Sequence, residues 1–335
     1  MPLVPMKQIL DEAMKKNYGV GAFNVNNMEQ IQGIMMAAKE TQSPVIVQAS
    51  RGALKYTNMY YIKHMVAAAI EDNPEIPVAL HLDHGNSLDT CKLAIELGFT
   101  SVMIDGSLKE DSKTPTTFDE NVEVTKAVVD YAHNLGVTVE GELGTLGGIE
   151  DGVGSGKVKL TDPDEAAKFI KITGVDALAL AIGTSHGAYK FKVDPEVAKD
   201  MIKMEIIKQV REKAPGTPLV MHGSSSVPKE LIDLVNNYGG KMPDAVGVPM
   251  SAIQEAIKLG IKKINVDTDG RLAMTGAIRK FFAENPAEFD PRTYFGAARK
   301  AVYEVVKGKM IDFGTAGHAA DYEPLTLEDM KKIYS

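Results

Sequence analysis

The chain has no tryptophan, a single cysteine among 335 residues and only 6% aromatic residues. One cysteine excludes a disulfide framework. That residue, Cys91, stands in D-T-C-K-L-A-I-E-L, a helical pattern that reads as packing. No apolar run approaches the roughly 18 residues of a membrane span. A basic stripe is missing too: 37 Lys and Arg against 45 Asp and Glu give a formal charge of −8, with the two signs interspersed. This argues against a nucleic-acid or membrane-surface partner, and an anionic small substrate must find its positive charge in a local pocket. The start, M-P-L-V-P-M-K-Q-I-L, lacks the basic segment, apolar core and cleavage site of a secretory leader, so the cytoplasm is the expected compartment. Low-complexity tracts and linkers are absent as well.

What is present is ample apolar material for a large core, 44% of residues. Length alone suggests two domains, but single α/β barrels exceed that size rule. Short β-rich runs end at Val25, Ser50, Leu82, Ile104, Leu143, Ile182, Met221 and Val266, and helical periodicity fills the spaces between them. Pro195 to Lys213 reads as one helix, and Pro163 opens another with Thr161 and Asp162 as capping candidates. Strict alternation of strand and helix implies a parallel sheet, and eight units imply closure into one (β/α)8 TIM barrel. The expected organisation is a single α/β domain over 1–335, with extra helices at both ends and a helical C-terminal extension from about 285. A doubly wound open sheet is the competing architecture.

A barrel places its functional residues where strands end. The residues at these ends are Asn24, Ser50, Asp83, His84, Asp105, Glu140, Glu142, His186, His222, Asn265, Asp267 and Thr268. Three of the seven histidines are among them; His64, His81, His133 and His318 read as structural. Three converging imidazoles make a catalytic zinc site with an open position, although other metals also accept imidazole. Asp105 and Glu142 are placed to support those ligands or to hold a second metal. The alternative is three unrelated loop histidines. In V-A-L-H-L-D-H-G-N, Asp83 is either an acid/base beside a ligand or the cap of the next helix.

Glycines and hydroxyls crowd three late loops, G-T-S-H-G (183–187), H-G-S-S-S (222–226) and N-V-D-T (265–268). Such loops let backbone amides approach an anion, and phosphate sites recur after the late strands of barrels. Lys190 can add charge. The loop 144–156 holds so many glycines that it reads either as a lid over the pocket or as a solvated flexible loop. Glu150 and Asp151 ride on it as candidate bases.

These motifs, together with G-A-F-N-V-N, V-E-G-E-L-G, G-G-I-E-D-G and D-P-R at Asp290 to Arg292, resemble the class II, zinc-dependent fructose-bisphosphate aldolases in order along nearly the whole chain. The resemblance implies reversible cleavage of fructose 1,6-bisphosphate to dihydroxyacetone phosphate and glyceraldehyde 3-phosphate. By the same resemblance His84, His186 and His222 bind catalytic Zn2+, Asp105 and Glu142 belong to a second metal position, and a monovalent cation is a further cofactor. Asp83 is then the acid/base on the aldehyde half and Glu150 the candidate enolising base. Gly187, Lys190, Gly223, Ser224, Ser225, Asn265, Val266, Asp267 and Thr268 serve the dihydroxyacetone phosphate end. Asn24, Ser50 and Arg292 serve the other phosphate, with Arg292 reaching from a neighbouring subunit of a homo-oligomer, a dimer or tetramer.

The chemistry agrees: no lysine falls at an expected strand end to form a Schiff base, and a Lewis acid is the other electron sink. Tagatose-bisphosphate aldolase is the nearest alternative; Asp267 favours the fructose enzyme, since the tagatose relatives carry a small residue there. A metal-dependent barrel hydrolase is more distant, because its first strand carries H-x-H where this chain reads F-N-V-N. A non-catalytic binding protein would lack the acid beside the ligand.

Overall fold

The computed structural model describes residues 3–148, 158–187, 195–243 and 246–335. Eight strands alternate with helices: β1 Val20–Asn24, β2 Val45–Ser50, β3 Val78–Gly85, β4 Ser101–Ile104, β5 Thr138–Leu143, β6 Ala177–Leu180, β7 Leu219–Met221 and β8 Ile261–Val266. All neighbours pair in parallel, and β1 pairs with β8 (Ala22 opposite Asn265), so the sheet closes into a barrel rather than staying open. The helices are α1 Met6–Lys16, α2 Met28–Thr41, α3 Arg51–Thr57, α4 Met59–Asp72, α5 Leu88–Glu96, α6 Phe118–His133, α7 Pro163–Thr173, α8 Pro195–Met201, α9 Met204–Lys213, α10 Lys229–Asn237, α11 Met250–Leu259, α12 Thr268–Glu284, α13 Pro291–Asp312 and α14 Leu327–Tyr334. No described helix is long and apolar enough to cross a membrane.

Local chemistry sets the helix ends. Thr117 and Glu120 form a reciprocal capping box at α6. Asp162 accepts from the amides of Asp164 and Glu165 ahead of Pro163, while Gly174 closes α7 in the left-handed region. Thr161 is not a cap. Its hydroxyl donates to Leu143 O (2.6 Å) and accepts from Ala181 N (2.8 Å), joining the ends of β5 and β6. The single helix expected over 195–213 is broken into α8 and α9, because the Lys203 amide leaves the helix to donate to Ile182 O at 2.8 Å. A short helix not anticipated from sequence, α3, starts directly at the end of β2 with Ser50 as its cap.

Alternation along the strands divides the core. Leu80, Leu82, Val102, Ile104, Val139, Leu178 and Leu180 face the helices. Inside the barrel, Val20, Ala22, Ile46, Ala79, Ala177, Ala179 and Val220 pack against Met6, Ile9, Leu10 and Ala13 of α1. That helix closes the amino end, fixed by Val4 N donating to Val78 O (2.9 Å) and Lys7 N donating to Thr138 Oγ1 (3.1 Å). Further up, the interior turns polar: Gln48, His81, Ser101, Glu140 and Lys263 are all fully buried. They are tolerated because they pair, Lys263 Nζ with Glu140 Oε2 at 3.0 Å and His81 Nδ1 with Ser101 Oγ at 2.8 Å.

Candidate active site

Successive strand residues normally face opposite sides, yet Asp83 and His84 both reach the same cleft. Leu82 pairs with Val102 and Gly85 with Ile104, so three steps along β3 meet two along β4. This bulge puts His84 in the left-handed region, φ 52°. Asp83 Oδ2 accepts from Asn24 Nδ2 (2.9 Å) and Gln48 Nε2 (3.3 Å), and its Oδ1 accepts from Asn265 Nδ2 (3.3 Å). Burial works against its charge, but the His84 and His222 rings, Lys263 and the Asn24 bond hold the carboxyl below the usual carboxylate range.

His84, His186 and His222 offer ring nitrogens within 4.8 Å of one another, and His84, Asp105 and Glu142 form a second such group sharing His84. His84 Nε2 lies 3.1 Å from His222 Nδ1, and His84 Nδ1 lies 3.4 Å from Asp105 Oδ2. Ser107 Oγ donates to Asp105 Oδ1 at 2.6 Å. Burial opposes a charged His84, but Asp83, Asp105 and Glu142 outweigh it and raise the ring to about 10. Burial, then the charges of His84 and Lys263, push His222 well below its ordinary value. Burial, then the Asp105 charge, push Glu142 well above its own. Glu142 Oε2 is buried and has no hydrogen-bond partner among the described residues. An orphaned carboxylate oxygen beside clustered imidazoles is a donor set that fits a divalent cation.

The late loops form the opposite wall. Gly223 has φ 60°, and a Cβ there would lie 2.5 Å from Ser185 O, so only glycine fits. Ser225 Oγ accepts from Asp267 N at 3.2 Å. The Ser224 hydroxyl faces backbone instead, 2.6 Å from Met221 O and 3.1 Å from Asn265 O. Asp269 accepts from the amides of Ser226 and Val227 (3.0 and 2.8 Å) and pairs with buried Lys309 at 2.8 Å, which fixes the loop after β7 onto α12 and α13.

The cleft is lined by Asn24, Ser50, Arg51, Gly52, Asp83, His84, His186, His222, Gly223, Ser224, Ser225, Asn265 and Asp267. Most of the residues anticipated from sequence are thus brought together. Val266 is buried at the end of β8, Gly187 has φ 82°, and Thr268 opens α12. Arg292 is not brought to the cleft within this chain. It sits at the start of α13, 88% exposed, with its guanidinium 2.6 Å from its own Asp290. Glu150, Asp151 and Lys190 lie outside the described residues.

Three partners escaped the sequence reading. Arg51 follows Ser50 on α3. Arg271 binds Asp267 (Nε 2.7 Å, Nη2 2.6 Å), four residues away on a helix and therefore on the same face. Lys263 shares the inward face of β8 with Asn265, and the period of two was the signal for it. His133 is structural, stacked on Tyr334 and 2.9 Å from Asp176, as is His318, stacked on Tyr18.

The sequence matches the family described as Fructose-bisphosphate aldolase class-II over residues 4–318. It is 57% identical to the fructose-bisphosphate aldolase of Giardia intestinalis over 334 residues, all of both chains. It is 52% identical to that of Pseudomonas aeruginosa, covering all of this chain and 98% of the relative. Among solved structures, the YdjI aldolase from Escherichia coli K12 superposes with a TM-score of 0.73 at 31% identity, over 95% of this chain and all of the other. A putative fructose-1,6-bisphosphate aldolase from Coccidioides immitis gives 0.74 at 25% identity, over 94% and 98%.

Proposed function

The chain belongs to the class II fructose-bisphosphate aldolase family, and on that premise we propose how its own residues cleave fructose 1,6-bisphosphate. It is an aldolase, a carbon–carbon lyase, acting reversibly on the sugar bisphosphate to give dihydroxyacetone phosphate and glyceraldehyde 3-phosphate. The observation that carries the mechanistic reading is the convergence of His84, His186 and His222 beside Asp83, whose carboxyl oxygens accept from Asn24, Gln48 and Asn265.

The three histidines would hold a divalent cation, zinc by their donor type, and Asp105 and Glu142 offer a second position that shares His84. Such a cation would supply a Lewis acid for the carbonyl of the ketone half. In cleavage Asp83 takes the proton of the C4 hydroxyl as the C3–C4 bond breaks, and the bonding pair passes to the C2 carbonyl; in condensation it returns the proton. Asn24, Gln48 and Asn265 hold that carboxylate in place. Glu150 protonates C3 of the enediolate. Gly187, Gly223 to Ser225 and Asn265 to Thr268, with Lys190, cradle the dihydroxyacetone phosphate end, and a monovalent cation is a further cofactor. Asn24 and Ser50 serve the other phosphate, joined by Arg292 from a neighbouring subunit of a cytoplasmic dimer or tetramer.

A coupled assay with fructose and tagatose bisphosphates, run with and without a chelator and after borohydride, tests this reading. Activity should favour fructose bisphosphate, vanish on chelation and survive borohydride. Inactivation by borohydride that requires substrate would replace the Lewis acid with a Schiff base.

A further inference from the structure

Arg51, the first residue of α3, is a half-buried cation in a cleft built around three histidines. Its Nε donates to the backbone oxygen of His84 at 3.1 Å, and its Nη2 donates to Ser112 Oγ at 2.6 Å. Ser112 is itself buried, on the segment that leads from Asp105 to α6. The acceptor in β3 is an unusual one. His84 occupies the left-handed region that residues with a side chain rarely adopt, and it lies within the bulge where β3 slips against β4. A residue that leaves the ladder needs another donor for its carbonyl, and Arg51 provides it.

We propose that Arg51 is a positioning residue for the metal centre. By holding the His84 carbonyl it fixes the strained backbone that turns the imidazole towards His186 and His222 while Asp83 keeps its own place. Its second arm ties this arrangement to the segment whose Ser107 orients Asp105. A planar guanidinium serves the two acceptors from two nitrogens held at a fixed spacing, which a single lysine nitrogen cannot reproduce. The inference rests on the reading of His84 as a metal ligand.

The test uses the full-length protein exchanged with Co2+ and titrated against a graded chelator, with visible absorption reporting the ligand field and circular dichroism reporting the fold. Wild type, Arg51→Met, Arg51→Lys and Ser112→Ala are compared. Loss of a partner that orients a ligand typically weakens metal binding by about 10–100-fold. Both Arg51 variants should show a loss of that order, a changed cobalt band, and a fall in kcat with little change in KM. Ser112→Ala should shift affinity and band in the same direction by less, and it carries the test if an Arg51 variant does not fold. An unchanged affinity and band in the folded variants would overturn the proposal. So would a raised KM with an unchanged band, which would make Arg51 a substrate contact. If wild type itself shows no imidazole-type cobalt band, the metal reading of His84 falls and takes this role with it.

Discussion

Glu140 Oε1 lies 2.8 Å from Nε2 of His222, on the side of the ring away from the Nδ1 that faces His84. The carboxylate therefore accepts the Nε2 proton and leaves the Nδ1 lone pair directed into the histidine cluster. Both residues are buried, so nothing in solvent competes for that bond. The other oxygen of Glu140 lies 3.0 Å from Lys263 Nζ, an ion pair inside the barrel.

Glu140→Gln keeps the size of the side chain but removes its charge, and it permits the wrong ring tautomer. Affinity for the bound cation should fall about 10–100-fold, the usual scale for such a partner. Competition for Zn2+ against a chromogenic chelator measures it. Wild-type affinity in a folded variant would show that Glu140 serves only Lys263.

Asp83 and the metal ligands should separate by function. Asp83→Ala should retain the cation and still exchange a proton of dihydroxyacetone phosphate with solvent, because that ketone lacks the hydroxyl Asp83 serves. Cleavage should fall by about 10²-fold or more, whereas His84→Ala should lose both reactions. NMR of proton exchange beside a cleavage assay reads the difference. Equal loss of exchange and cleavage in Asp83→Ala with normal metal content would remove its confinement to the aldehyde half.

Arg292 is exposed and bound to Asp290 within its own chain, so its proposed contact with a phosphate needs a second subunit. Arg292→Ala should weaken fructose bisphosphate far more than dihydroxyacetone phosphate, since a guanidinium grips phosphate through two parallel bonds. Equilibrium binding of each ligand decides it, and equal loss would place the arginine elsewhere.

Cys91 is fully buried on α5, and burial pushes its thiol up to about 12. Almost none is thiolate at mildly alkaline pH, and the thiolate is the reactive form. Iodoacetamide should leave the native chain unmodified and label it stoichiometrically in guanidinium, as mass spectrometry would record. Rapid labelling of the native protein would mean that the helix opens locally.

The barrel was legible because its signals are local. Apolar strand runs, helical periodicity and strand-end residues each reveal themselves within a few positions, and β4 falls on its expected residues, Ser101–Ile104. The histidine cluster was legible in outline: once eight strands close, the ends that carry residues 84, 186 and 222 gather at one rim of the barrel, although the turn of His84 into the cleft depends on the bulge in β3. Part of what escaped depends on partners distant in sequence. Lys262 and Lys263 look like exposed residues, yet one bonds Asn17 Oδ1 and Ile257 O on the outer side while the other enters the barrel to meet Glu140. The break between α8 and α9 depends on a single carbonyl at Ile182. The bulge that lets Asp83 and His84 share a cleft leaves no trace in the motif, since strand periodicity alone would turn the two apart.

The placement of α1 has a kinetic meaning. A barrel stoppered at its amino end by Met6, Ile9, Leu10 and Ala13 is a blind vessel, and all traffic uses one mouth. On the proposed reading the sugar bisphosphate and both of its fragments share that mouth, so a fragment still bound there stands in the way of the next arrival.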